Sequence, residues 1–458
     1  MNNGGFHLPH RTLSSIQTVS AFTFFFYLYF ICDFFLRFPA RIPSYSILRP
    51  TLVAVVLLVL LLFAQKDKFK DLFSNSVFKS IFFLVSYIII TLPLVEWPGS
   101  VLRENLDPFV KAVVFLFFTA LIIDTEFRLK WFVGVFLFCQ IFRVLEPLYL
   151  NVTQGYWGSA TSLSNNEFAD RLSGAPADVI NPNELGFVIV TIIPFLHYIV
   201  FPRNLKFKFL YILLMPLLFY ALVLTMSRGA FIALLVIGFF IFKDSKRKSR
   251  LLVVTVIGIF LAFSMMNSVQ RDRYLSLVDR DVEGGASADG RIRGMIKEFE
   301  LGLTRPIVGH GLGTTPEAKT HKLGRSQASH NLYAELIIEL GIIGFTIFMG
   351  FLVRSARQLF ILKRRLELSA RSKNGDFLFQ MNKVLICLFW MYAIYSLNYW
   401  GLSQYYWYLL GGLTIVLGRL ASLTSGDNEV TTSESTSNND ISRFALAKKI
   451  HGGRHRAS

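Results

Sequence analysis

His330 stands in SQASHNLYAELIIELG, where a run of small and polar residues meets an apolar helix. An imidazole with an ordinary pKa near ~6.5 accepts and returns protons at ambient pH, so a histidine at such a boundary is a candidate general base. Two other basic residues open expected helices: Arg228 in TMSRGAF, directly after Ser227, and Arg291 in ADGRIRG, just after Asp289. A cation in the first turn opposes the positive end of the helix macrodipole, at ~0.3–1 kcal/mol each. The conflict disappears if an anion binds there, because helix amino termini and arginine forks both suit a phosphate or diphosphate.

Each residue also has a plainer reading. Arg228 could snorkel to the headgroup layer, Arg291 could be a solvated arginine on an exposed helix, and His330 a surface histidine. Arg171, in RLSGAPADVINPNELG, is either a third phosphate ligand or a loop arginine held by Asp178 or Glu184. Asn181 and Asn183 are candidate caps of the following helix. Supporting roles fall to Ser227 and Asn331 beside the basic residues, and to Glu335, which shares a helical face with Glu339 and could orient a base or an acceptor. Gly309, Gly311 and Gly313 of GHGLG read as a turn that lets backbone pass close to substrate. That loop has neither GxGxxG nor phosphate-loop spacing, and His310, His321 and His330 are too irregularly spaced for a metal site.

The elements that must position these residues are membrane helices. Of 458 residues, 53% are hydrophobic and only 17% charged, which excludes an ordinary soluble chain. Apolar runs long enough for a ~30 Å hydrocarbon layer recur throughout. They span Ile16–Leu36, Ile47–Ala64, Phe78–Val95, Phe109–Ile123, Trp131–Tyr149 and Asn183–Phe201 in the first half. The second half adds Leu205–Leu224, Arg228–Phe242, Leu251–Ser268, Asn331–Val353, Leu378–Tyr399 and Leu402–Leu420. The expected fold class is all-α, a polytopic transmembrane bundle of about 12 helices. The domain reading is a cytoplasmic N-terminus (1–15), a membrane domain (16–423) and a Ser-, Thr- and Asn-rich tail (424–458) taken as a disordered cytoplasmic extension.

Lys and Arg set the orientation, since short basic loops stay cytoplasmic. Lys66–Lys70, Arg128 with Lys130, Arg203–Lys208, Lys243–Arg250 and Arg354–Lys383 fall on one side, together with both termini. The net charge of +17 is then topological: it implies anionic membrane lipids as neighbours and no nucleic acid. Two long segments face the periplasm, 150–182 and 269–329, the second a large loop between the ninth and tenth helices. Within it, Asp289 is a candidate N-cap for an amphipathic helix bearing Ile292, Met295, Ile296, Phe299 and Leu303. Asp33, Arg143 with Glu146, and Glu335 with Glu339 are charges inside spans, so they should face the bundle interior, with Arg143 and Glu146 able to pair. Cys32, Cys139 and Cys387 lie in spans at no metal or redox spacing and read as apolar packers.

TMSRGA opening one helix, ADGRIRG in a long outer loop, and GHGLG followed by SHNLYAELIIELGIIG together resemble the O-antigen ligase and polymerase superfamily. The motifs run from about Arg171 to Gly350, and the topology agrees over nearly the whole chain. The resemblance implies a GT-C-type glycosyltransferase of the bacterial inner membrane, working at the periplasmic face without cofactor, metal or nucleotide. It would take a glycan from undecaprenyl diphosphate and attach it to an acceptor sugar, with inversion at the anomeric carbon. In that scheme His330 is the base, Arg228 and Arg291 hold the diphosphate, and Arg171 matches an outer-loop arginine. Ligation of O-antigen to lipid A-core is the expected activity. The alternatives are an O-antigen or exopolysaccharide polymerase that extends a polyprenyl-linked chain, and a lipid-linked glycan transporter that is no enzyme.

Overall fold

The computed structural model describes residues 18–65, 69–162, 168–275, 285–369, 376–399 and 401–423. The expected N-terminal extension (1–15) and tail (424–458) lie outside the described residues. A helix forms at each apolar run. α1 (Ala21–Leu36) and α4 (Pro50–Phe63) are linked by the single-turn α2 (Phe38–Arg41) and α3 (Pro43–Ser46). α5 (Phe69–Ser74), α6 (Ser76–Thr91), α7 (Pro98–Ser100), α8 (Leu106–Ile122) and α9 (Glu126–Gln154) follow. After the strands β1 (Gly158–Ser162) and β2 (Phe168–Leu172) come α10 (Pro182–Phe195), α11 (Leu205–Thr225), α12 (Arg228–Asp244) and α13 (Lys248–Met265). α14 (Ser268–Leu275), α15 (Gly285–Gly302) and α16 (Thr315–Leu323) come next, and the chain continues through α17 (Leu332–Ser369), α18 (Asp376–Tyr395) and α19 (Tyr405–Leu423).

Eight of these helices are long and apolar enough to cross a membrane, and α1 and α4 are shorter apolar helices. The chain is therefore a polytopic helical membrane protein. Burial sorts the helices: 83% of the α10 span and 78% of α19 are buried inside the protein, against 28% of α11. α10 is thus central, and α11 turns its apolar side chains outward, as lipid contact allows. Aromatic edges fill the space where α1, α8 and α19 meet, with Phe34 4.8 Å from Phe115 and Phe35 4.9 Å from Tyr405 between ring centroids.

Three features depart from the sequence expectation. Segment 150–182 is not purely loop: β1 and β2 pair antiparallel with Ser159 opposite Arg171. α17 runs well past Val353, and inside it Gly341 leaves helical geometry at φ 65°, ψ −170°, so a short half-helix precedes a long one. The intramembrane charges pair differently as well. Arg143 donates to Asp178 from Nε (2.6 Å) and Nη2 (3.2 Å), while Glu146 accepts from Arg41 at 2.6 Å. Asp178, 35 residues away in sequence, offers both carboxylate oxygens to the fork, which Glu146 on the same helix cannot do.

Candidate functional site

The α11–α12 elbow comes first. α11 ends at Met226, a non-glycine residue with φ 50°, and Ser227 caps α12 by accepting from the Ala230 amide at 3.3 Å. Arg228 is the first residue of α12, and its side chain is buried. α10 lies close against this corner because Gly186 has no side chain: a Cβ there would stand 2.7 Å from the Ala230 Cβ. Arg171, on β2, reaches the same corner, donating from Nε to the Thr225 carbonyl (2.9 Å) and from Nη2 to Asn183 Oδ1 (3.0 Å). Asp178 and Glu184, expected as possible partners of Arg171, are engaged elsewhere. Asp178 binds Arg143, and Glu184 completes a capping box with Asn181 at the start of α10.

A further arginine, which the sequence reading left out, joins them. Arg273 of α14 is buried and donates from Nε to the Met226 carbonyl at 3.0 Å. Tyr274 beside it reaches the Leu222 carbonyl at 3.3 Å, and burial pushes its phenol well above the usual range against the pull of Arg171 and Arg273. Nothing in QRDRYL distinguishes Arg273 from Arg271; only the fold turns one inward and leaves the other exposed.

Second is the start of α17. Asn331 is the N-cap, its Oδ1 accepting from the amides of Tyr333 (2.8 Å) and Ala334 (3.2 Å). His330 therefore precedes the helix instead of sitting in its first turn, and its side chain is exposed. Gln327 Nε2 lies 2.8 Å from His330 Nε2. The flanking residues are pinned from below: Ser329 Oγ donates to Glu298 Oε2 on α15 at 2.8 Å, and Lys319 of α16 also binds Glu298. α15 begins at Gly285, so Arg291 lies beyond its first turn, contrary to the expectation that it opens the helix. The side chain of Arg291 lies outside the described part of the structure, as does that of Asp289.

The chain itself uses amides at both helix starts. Leu332 N donates to the carbonyls of Ser396 (2.9 Å) and Tyr399 (3.0 Å), and Ala230 N is used by Ser227. Among side chains, arginine is the one suited to holding an anion there.

The supporting residues hold backbone. Glu335 Oε2 accepts from the amides of Gly401 (2.8 Å) and Leu402 (3.2 Å). Glu339 accepts from Gly313 N and Thr315 Oγ1, each at 2.7 Å. The GHGLG loop lies against the break in α17: His310 N donates to Ile338 O (2.8 Å) and Gly311 N to Glu339 O (3.0 Å). Gly309, Gly311 and Gly313 all have positive φ, and a Cβ on Gly309 would stand 2.4 Å from the Glu339 carbonyl carbon. The close approach expected of these glycines is thus made to the chain's own helix. His310 is buried, with Nδ1 2.5 Å from Glu96 Oε2 and Nε2 3.1 Å from Thr304 Oγ1, and Trp97 stacks between it and His321.

The C-terminal end of α18 joins the two halves. Tyr395 donates to the Asn183 carbonyl at 2.7 Å, and its ring stands against Gly229, where a Cβ would be 3.4 Å away. Four residues on, the Tyr399 carbonyl accepts from Leu332, and its ring lies 5.4 Å from Phe187 of α10. The starts of α10, α12 and α17, which carry Asn183, Arg228 and Asn331, therefore converge on one short stretch.

No curated protein matches this chain at a significant level. Residues 187–349 match the family model described as O-antigen ligase, a stretch that contains the α11–α12 elbow, α14 to α16 and the first half-helix of α17. This stretch therefore carries an O-antigen ligase domain, which supports the O-antigen ligase and polymerase superfamily.

Proposed function

We propose that the chain is a membrane glycosyltransferase that moves a glycan from undecaprenyl diphosphate to an acceptor sugar at the periplasmic face, the acceptor being lipid A-core. The convergence of Arg228 and the His330 segment on the end of α18 supports this reading best. His330 is exposed, so its imidazole is open to an incoming hydroxyl, as a general base must be. It takes the proton of the acceptor hydroxyl as that oxygen attacks the anomeric carbon. The bond to the diphosphate oxygen breaks as the new glycosidic bond forms, so the product is inverted. Arg228, with Arg171 and Arg291, stabilises the charge that builds on the departing diphosphate, the task a divalent cation performs in many phosphate-transfer sites.

In the proposed topology about twelve helices cross the bilayer, both termini are cytoplasmic, and the segments 150–182 and 269–329 face outward, consistent with basic loops on the opposite side. Extension of a polyprenyl-linked chain uses the same chemistry with a different hydroxyl. Lipopolysaccharide banding of a deletion strain separates the two. A ligase deletion leaves bare core while polymer accumulates on the lipid carrier, whereas core bearing a single repeat unit would identify a polymerase and overturn ligation.

A further inference from the structure

Two arginines from distant parts of the chain hold neighbouring carbonyls, Arg171 that of Thr225 (2.9 Å) and Arg273 that of Met226 (3.0 Å). Between these carbonyls and Arg228 the backbone passes through Met226 at φ 50°, a left-handed conformation that costs an L residue ~1–2 kcal/mol and persists only where the surroundings enforce it. Both arginines are buried, and each contacts the elbow through a charge-assisted bond to a C-terminal helix carbonyl, where a cation is also favoured by the helix dipole. Tyr274 adds a third hold on the end of α11, and its ring lies 5.5 Å from that of Phe231 on α12, so α14 touches both arms of the corner.

We infer that Arg273 is an unassigned residue of the donor-phosphate site, a positioning residue. With Arg171 it clamps the two carbonyls of the strained α11–α12 elbow and so fixes how Arg228 is presented to a diphosphate. The inference rests on the proposed role of Arg228. α14 lies in the segment that follows α13, so whatever moves that segment also moves the clamp.

The test uses the full-length protein in detergent, with inorganic diphosphate as the binding probe and donor-lipid kinetics as the second readout. Losing a charge-assisted bond predicts that Arg273→Gln weakens diphosphate binding about tenfold to a hundredfold and raises the KM for donor, leaving that for acceptor unchanged. Arg273→Lys, which keeps an N–H for the Met226 carbonyl, recovers part of the loss. Arg271→Gln, the same charge change on the exposed side of α14, behaves as wild type. If Arg273→Gln and Arg271→Gln are indistinguishable, or if donor and acceptor KM rise together, the inference is wrong. Should Arg273→Gln not fold, the Lys variant decides: binding weaker than wild type but stronger than that of Arg228→Lys, with only the donor KM raised, supports the clamp, and wild-type binding or loss equal to that of Arg228→Lys overturns it. If wild-type protein itself binds no diphosphate, the donor-site reading of Arg228 fails first; if Arg228→Lys abolishes binding and Arg273→Gln does not, only the present inference falls.

Discussion

Glu335, one turn into α17, reaches across to the far hairpin and accepts from the amides of Gly401 and Leu402 at 2.8 and 3.2 Å. The same hairpin supplies the Ser396 and Tyr399 carbonyls that cap Leu332, so the carboxylate and the cap fasten one junction from two directions. The bond needs an acceptor oxygen, not a proton acceptor for chemistry. Glu335→Gln retains such an oxygen and is expected to keep transfer within a fewfold of wild type. Glu335→Ala leaves two buried amides unsatisfied, at about 1–3 kcal/mol each, and should lower the thermal midpoint in detergent. A Gln variant as inactive as one lacking His330 would return Glu335 to a direct part in the reaction.

His330→Ala is expected to lower transfer about 100- to 10,000-fold, the usual worth of general-base assistance, with no loss of stability because the side chain is exposed. Purified protein, donor lipid and acceptor in a single-turnover assay measure this directly. Full-rate transfer by the variant would remove His330 from the base role.

Much of this organisation is legible in the sequence, and the exceptions have identifiable physical causes. Helix positions follow from apolar run length, and Arg228 is visible because TMSRGA interrupts one apolar run just before the next. The Gly341 break is hidden because LGIIGF is apolar throughout, and only the packing of GHGLG against it explains a left-handed φ there. β1, written GSATS, lacks the alternation of polar and apolar residues that marks a half-buried strand. Arg143 has Glu146 at helical spacing, yet Asp178 holds it, since tertiary approach decides among partners that local spacing cannot rank. Arg273 is illegible for the same reason, while Arg291 reads as opening a helix because Asp289 resembles an N-cap, whereas α15 already runs from Gly285.

Arg228→Lys tests geometry at constant charge. Arginine presents a planar fork that matches two phosphate oxygens, whereas lysine offers a single compact ammonium, so the variant should lose most transfer and bind diphosphate more weakly. Because Arg228 is buried, folding is checked alongside by size-exclusion profile. Normal turnover with purified donor would place the diphosphate elsewhere.

If guanidinium groups carry the leaving-group charge, chelation leaves the rate unchanged. Treatment with EDTA followed by assay in metal-free buffer is expected to give wild-type transfer, and added Mg²⁺ is expected to restore nothing to Arg228→Lys. Loss of activity on chelation with recovery on Mg²⁺ would assign that charge to a cation instead.

Gly341 links the reacting end of α17 to its membrane-spanning body. At φ 65°, ψ −170° it occupies a region open almost only to glycine, and an added Cβ would stand 2.3 Å from the Ile307 carbonyl oxygen and 2.8 Å from the Gly309 amide. Gly341→Ala therefore combines backbone strain of about 1–3 kcal/mol with a clash against backbone that cannot rotate away. Gly324→Ala is the milder comparison: at φ 68°, ψ 18° it sits in the left-handed cap region that an L residue enters at about 1–2 kcal/mol, and a Cβ there meets nothing within 4 Å. The Gly341 variant should unfold at clearly lower temperature than the Gly324 variant and should transfer poorly, because the half-helix that follows His330 is held through the 338–342 junction. Equal midpoints for the two would mean that the break is tolerant of a side chain, and that the GHGLG clasp does not set the position of the first half-helix of α17.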